Sequence, residues 1–255
     1  MKNKDLNKKT EKTLLNQKKK FTKFSSIAKY IIYENNFLLN SIDLKNKDLI
    51  EFGCGIFPLS IGLKKYRSLK SYTASDVSLK IIKEAKENDN RPNYIICDLE
   101  QKIKLNKKFD IIVLKGVLHH TKKPRNILLK LKKILKNNGL IIISEPNLSS
   151  ILANFLKTFL SSCFKISMED SPYGQYDFKK ISKSIKGAKL IIKKKWYSGL
   201  FILILSGDYG RIKILPNYIW ISNIIIKIEN IFFNLFKHTS ILKYLNFKIN
   251  IIVQK

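Results

Sequence analysis

Glu51, Gly53 and Gly55, in the run D-L-I-E-F-G-C-G-I-F-P-L from Asp48 to Leu59, and Asp76, closing S-Y-T-A-S-D, have the types and spacing that nucleoside binding needs. The glycines lack a Cβ, so the backbone can turn sharply and bring N–H groups close to a ligand at the start of a following helix. Glu51 ends a short apolar strand, where a carboxylate meets a cation more readily than a pyrophosphate; that argues against a dinucleotide. Asp76 follows about twenty residues on, the separation of a ribose-binding acid, and can accept hydrogen bonds from both ribose hydroxyls. The pair of motifs reads as a nucleoside-cofactor site. His119 and His120 offer different chemistry, because imidazole is suited to removing a proton from a hydroxyl. Glu145, Asn147, Tyr173 and Tyr176 are further pocket candidates.

Strands and helices must place these groups, and their signals alternate along the chain. A helical stretch from Phe21 to Leu39, with Tyr30, Ile31, Phe37 and Leu38 as apolar anchors, precedes strands at Leu49–Phe52, Ser71–Ser75, Tyr94–Cys97, Ile111–Leu114 and Leu140–Ile143. Helices are expected from Pro58, from Ser78 as N-cap, and from Pro124 to Lys136 with Gly139 as its stop. Alternation of this kind means a parallel sheet, and nearly all-apolar strands mean one covered on both faces. Ligands then bind outside the carboxyl ends of the strands, where Glu51, Gly53, Asp76, Asp98 and the stretch from Lys115 to His120 all fall. Leu148–Ile166 reads as an apolar helix or helix pair over the cleft. A helix capped by Asp177 and ended by Gly187 comes next, then a strand in A-K-L-I-I-K-K-K-W-Y and a last one in F-K-I-N-I-I-V-Q-K.

With these motifs in order, the chain resembles the class I S-adenosylmethionine-dependent methyltransferases, in particular their bacterial small-molecule group, whose first motif runs acid-x-G-x-G-x-G. Glu51, Gly53 and Gly55 match it, with Phe57 at the place of the third glycine. Y-I-I-C-D-L puts Asp98 and Leu99 where the family contacts adenine. F-D-I-I-V-L-K-G-V-L-H-H and N-N-G-L-I-I-I-S-E-P-N follow in family order, so the resemblance covers Leu49 to Asn147 strongly and the rest weakly. It implies an α/β fold, a Rossmann-like doubly wound seven-stranded sheet of order 3-2-1-4-5-7-6 with the last strand antiparallel and helices on both faces. It implies S-adenosyl-L-methionine as cofactor, with Glu51, Gly53, Cys54, Gly55, Asp76, Val77, Asp98, Leu99 and Lys115 as contacts. Glu51 would face the cationic cofactor, the glycines its carboxylate end, Asp76 the ribose and Asp98 the adenine amine. The methyl already sits on a sulfonium, so alignment for in-line attack and exclusion of water carry much of the catalysis. His119 or His120 would be the acceptor's base, although L-H-H also recurs in the family as a structural loop.

A chain of 255 residues with 45% hydrophobic content can bury one large core. Residues 1–20 read as a disordered basic tail and 21–255 as one methyltransferase domain, 21–147 holding the cofactor and 148–255 shaping the acceptor site. The formal charge of +30 suggests a polyanion partner, yet of 49 basic residues only Arg67, Arg91, Arg125 and Arg211 are arginine. A surface rich in lysine, isoleucine and asparagine fits compositional bias better than base-edge recognition. Cys54, Cys97 and Cys163 contain no C-x-x-C pair and support neither a disulfide framework nor a zinc site; they suit a reducing cytoplasm. An insertion from Ser198 to about Leu245 carries Ile221, Ile224, Ile225, Ile228, Ile231, Phe232, Leu235 and Phe236 at helical spacing. Packing on the core or lidding an apolar acceptor is the favoured role; a lipid-surface helix and a dimer contact compete. A spanning helix is not expected, because Lys227 and Glu229 interrupt the run. The reading is a cytoplasmic methyltransferase of a small or lipid- or sugar-linked acceptor, with oxygen preferred as nucleophile. A nucleic-acid (rRNA or tRNA) methyltransferase and a non-catalytic, methyltransferase-like binding protein are the alternatives.

Overall fold

The computed structural model describes residue 11 and residues 26–165, 176–202 and 218–255. The basic tail of residues 1–20, apart from Glu11, the helix start at 21–25, Ile166, Tyr173 and residues 203–217 of the insertion lie outside the described residues.

Seven strands, β1 (Asp48–Phe52), β2 (Ser71–Asp76), β3 (Asn93–Ile96), β4 (Phe109–Lys115), β5 (Leu135–Pro146), β6 (Ile191–Ser198) and β7 (Lys248–Gln254), form one sheet in the order β3-β2-β1-β4-β5-β7-β6. The first five run parallel, and β7 pairs antiparallel with both β5 and β6. Successive side chains of a strand point to opposite faces. Accordingly, Ile50, Phe52, Ile112, Leu114, Ile141 and Ile143 join one buried cluster, while Leu49, Ile111, Val113 and Ile142 join another.

Helices cover both faces. α1 (Ser26–Leu39) and α2 (Leu79–Asn88) contribute Leu38, Leu39, Ile82 and Ala85 to the second cluster. α3 (Pro124–Ile134) contributes Ile127, Leu128, Leu131 and Ile134 to the first, joined there by Ile181 and Ile185 of α5 (Phe178–Gly187). α4 (Ile151–Phe164), α6 (Ile219–Phe236) and α7 (Ile241–Leu245) complete the described helices. Ser78 caps α2 by accepting from the Ile81 N–H at 3.3 Å, and Asp177 caps α5 through the Lys180 N–H at 2.7 Å.

Two local expectations are corrected. No α-helix follows Pro58: residues 58–69 are chained by i+3 to i backbone bonds, as from Ile61 to Pro58 and from Leu63 to Ser60, with a 3₁₀ turn at Tyr66–Ser68. Gly62 takes φ +70°, and Asn36 on α1 bonds both the Gly62 carbonyl and the Lys64 N–H, so partners a helix ladder needs are already taken. Gly139 does not stop α3, which ends at Ile134 because Leu135 is extended and pairs with Phe109; the left-handed residue is Asn138, φ +62°. Gly187 is the last residue of α5, as expected, and a Cβ there would come 3.0 Å from Arg125 Cδ; the left-handed residue beyond it is Lys189. The lysines of α3 are also not all solvated. Lys130 Nζ bonds the Leu99, Glu100 and Gln101 carbonyls, and Lys136, placed in β5 rather than in the helix, bridges Asp48 and Asp110 at 2.8 Å to each.

The insertion helix α6 packs on the fold through only part of its apolar face. Its buried residues are Ser222 and Glu229, while Ile224, Ile228, Ile231 and Leu235 are exposed and Ile221, Ile225, Phe232 and Phe236 half-buried. By length and composition alone it could cross a membrane, although Lys227 and Glu229 within it make a spanning helix unexpected. Bonds to the fold hold it instead: Glu229 accepts from the Tyr30 hydroxyl and from the Gly199 and Leu200 N–H groups, and Tyr33 donates to Asn230 at 3.0 Å.

Burial and the nearby Glu34 carboxylate push Glu229 up to about 7. The native state then holds a proton that an unfolded glutamate releases near 4.5. The stability gained from that proton is fully present below the unfolded pKa and is lost as pH rises through 7. Glu229→Gln should remove this dependence, so urea midpoints of variant and wild type should separate in the variant's favour between pH 5 and pH 8. A constant difference across that range would contradict the assignment.

Candidate functional site

The carboxyl ends of β2, β1, β4 and β5 lie side by side, bringing Asp76, the glycine turn, Lys115 and Glu145 to one edge of the sheet. In the turn, Gly53 has φ +73° and Gly55 φ +59°, a region that L side chains rarely adopt. A Cβ on Gly53 would meet Val117 Cγ2 at 2.5 Å, so the β1 and β4 loops touch there. A Cβ on Gly55 would meet nothing within 4 Å, which leaves open space above its backbone.

Asp76 fastens this turn. Its Oδ2 accepts from the Gly55 N–H at 3.2 Å and its Oδ1 from the Ser78 N–H at 3.1 Å, and burial raises its pKa. A carboxylate has about four lone-pair directions, so capacity for hydroxyl donors remains. Val77 beside it is exposed. Asp98 follows β3 and accepts from the Glu100 N–H at 2.8 Å.

Glu51 is fully buried. Its Oε2 accepts from the Leu59 N–H at 3.0 Å and from the Tyr72 hydroxyl, whereas Oε1 has no hydrogen-bond partner. Burial raises the Glu51 pKa, opposed by the Lys115 ammonium. Lys115 Nζ donates to Asn35 of α1 at 2.9 Å, and burial holds the amine down to about 8. An orphaned, buried carboxylate oxygen beneath a glycine turn open at Gly55 suits a ligand carrying an amino-acid ammonium and carboxylate. These residues therefore fit S-adenosylmethionine. Cys54 and Leu99 offer only backbone, because both side chains are buried in core clusters.

On the other side of the turn, Glu145 organises the loop after β4. Its Oε1 accepts from Val117 N–H at 3.0 Å and Leu118 N–H at 2.8 Å, and its Oε2 lies 2.6 Å from His119 Nδ1. His119 is buried in a 3₁₀ turn, Leu118–His120, with the His120 ring tilted against it at 4.0 Å between centroids. Glu145 thus fixes the orientation of the His119 ring. The sequence singled out both groups but not their pairing; the signal was adjacency in the sheet, where Lys115 faces Ser144. Two pocket candidates turn out to be committed within the fold. Asn147 donates to the Lys243 and Asn246 carbonyls, and Tyr176 donates to the Leu118 carbonyl, its pKa pushed up to about 12 by burial. Asn35, Tyr72 and Val117 were not anticipated, since each reaches the site through contacts distant in sequence.

Among the described residues no group of His, Cys, Asp and Glu could hold a metal ion. A family model described as a methyltransferase domain matches residues 27–180. The chain is 30% identical over 185 residues to a ubiquinone biosynthesis O-methyltransferase of Pelagibacter ubique, covering 68% of this chain and 72% of that protein. It is 26% identical to the mitochondrial ubiquinone biosynthesis O-methyltransferase of Schizosaccharomyces pombe, over 59% of this chain and 55% of that one. The fold is shared with magnesium protoporphyrin IX methyltransferase from Synechocystis, solved with bound S-adenosylhomocysteine, at TM-score 0.56 and 15% identity, covering 90% and 86% of the two chains.

Proposed function

We propose, from the premise that this chain belongs to the S-adenosylmethionine-dependent methyltransferases, that it methylates a hydroxyl oxygen on a small, largely apolar acceptor. The observation that carries this reading is the buried pair His119–Glu145, whose Nδ1 and Oε2 are 2.6 Å apart beside the glycine turn. The curated relatives' names, which specify O-methylation in ubiquinone biosynthesis, support oxygen as nucleophile.

S-adenosylmethionine, when bound, supplies a methyl group already activated as an electrophile. Gly53 and Gly55 would receive its amino-acid end near the orphaned Glu51 Oε1, Asp76 would hold the ribose, Val77 and Asp98 would contact the adenine, and Lys115 sets the charge around Glu51. His119 would take the acceptor's hydroxyl proton, with Glu145 holding its Nδ1. The Glu145 carboxylate keeps the ring oriented and balances the imidazolium. His120, whose ring lies tilted against His119, shields it. Residues 148–255 shape the acceptor's side of the cleft.

A split between binding and chemistry tests this. His119→Asn should lower methyl transfer to an alkyl-substituted catechol by about 100-fold or more while titration with S-adenosylhomocysteine is unchanged. Asp76→Ala should lose the titration itself. Equal transfer by His119→Asn and wild type would remove His119 as base.

A further inference from the structure

Three helices carry apolar side chains outward. On α4, Ile151, Phe155 and Phe159 recur at i, i+4 and i+8 with exposures of 66%, 64% and 54%. On α6, Trp220, Ile224, Ile228, Ile231 and Leu235 follow the same spacing, with Ile231 at 61% and Leu235 at 69%. α7, which contacts both helices, adds Ile241 and Tyr244. Soluble surfaces rarely hold so many large apolar groups together without a partner.

The inner faces explain why these residues stay outside. α4 and α6 share a buried cluster through Ala153, Leu156, Ile221, Ile225 and Ile226, with Tyr30 of α1 among them. Glu229 and Asn230 are fixed inward by α1 and by the backbone after β6, so α6 cannot roll its isoleucines into the core without burying a carboxylate unpaired.

Charge selects the occupant. Between residues 148 and 165 there is no acidic residue, and between 218 and 247 the only one is Glu229, which points inward. Lysines stand along the same segments: Lys227 is exposed within the α6 stripe, Lys237 is exposed just past its end, and Lys243 lies over the Tyr244 ring. Tyr218 and Trp220 stack at the start of α6. Isoleucine, leucine and phenylalanine edged by aromatic rings, with a surface charge of one sign, match an interfacial helix on negatively charged headgroups. A second copy of the chain would instead bring these lysines against each other.

We propose that the outer face of α4, α6 and α7 docks this protein onto the surface of an anionic lipid bilayer. α6 lies in the plane of the headgroups without spanning.

The test is co-sedimentation of the full chain with phosphatidylcholine vesicles, with and without phosphatidylglycerol. Wild type should pellet with the anionic vesicles and much less with the neutral ones. A Trp220→Ser, Ile231→Asn, Leu235→Asn triple variant, which leaves the net charge unchanged, should bind at least tenfold more weakly while its thermal midpoint and S-adenosylhomocysteine titration match wild type. Phe155→Ser, on a different helix, should weaken binding as well. Wild type left in the supernatant with anionic vesicles overturns the proposal. So does a triple variant that binds like wild type, because lysine attraction alone would then account for the result. A dimer that the triple variant dissolves, together with no vesicle binding, assigns the face to a second copy.

Discussion

Glu145→Ala should lower the unfolding free energy by about 4 kcal/mol and abolish methyl transfer. Glu145 is fully buried and its two oxygens are the acceptors for the N–H groups of Val117, Leu118 and His119 and for His119 Nδ1. Alanine leaves three backbone donors without this acceptor in a dry loop, and each such donor costs about 1–3 kcal/mol. Glu145→Gln keeps one oxygen and the side chain's volume, so it should lose roughly half as much stability. Its amide nitrogen must then face either a backbone N–H or the imidazole, and the ring loses its fixed orientation. Urea unfolding at matched m-values measures both. An alanine variant within about 1 kcal/mol of wild type would show that the loop stands without the carboxylate.

Gly53→Ala is the second large effect. Alanine at φ +73° costs about 1–2 kcal/mol in backbone energy alone, and its methyl would lie 2.5 Å from Val117 Cγ2. Relief must come from moving Val117, which carries the loop that holds His119. Affinity for S-adenosylhomocysteine should fall by about 100-fold or more, since the turn that presents the backbone N–H groups is displaced. Val117→Ala in the same chain should restore part of the stability, because the clash disappears and only the backbone cost remains. Gly55→Ala separates the two causes further: it meets no atom within 4 Å, so it should stay folded and lose affinity by filling the space above the turn. If Gly53→Ala and Gly55→Ala were equally stable, the contact with Val117 would not matter.

Much of this architecture was readable from residues that repeat a local rule. Strand after strand shows the apolar run that double coverage requires, and Ser78 and Asp177 cap the helices they precede. The antiparallel β7 between β5 and β6 followed from the resemblance and not from local pattern. What escaped the sequence was set by partners far along the chain. Pro58 opens a plausible helix, yet Asn36 and Glu51 take its backbone groups. Gly139 was read as a helix stop, whereas the helix ends five residues earlier and Asn138 adopts the left-handed conformation; Gly187 does end its helix, with Lys189 as the left-handed residue beyond it. The periodicity of α6 was seen correctly, but its direction depends on where Tyr30 and Gly199 meet Glu229. In the site, the glycines and acids stood out by type and spacing. The Glu51–Tyr72 and His119–Glu145 pairs did not, because each joins residues on neighbouring strands or loops.

The place of β7 also has a consequence during synthesis. β5 offers its second edge, the wholly apolar run from Leu140 to Ile143, to a strand that begins about a hundred residues later, and β6 can join the sheet only through that same strand. At about 5–20 residues per second the slot beside β5 stays open for roughly 5–20 s after Pro146 has been made. An open apolar edge on a nascent chain is a template for pairing with its neighbours on the same polysome. Yield of folded protein should therefore depend more on translation speed across residues 147–247 and on chaperone supply than the stability of the finished sheet would suggest.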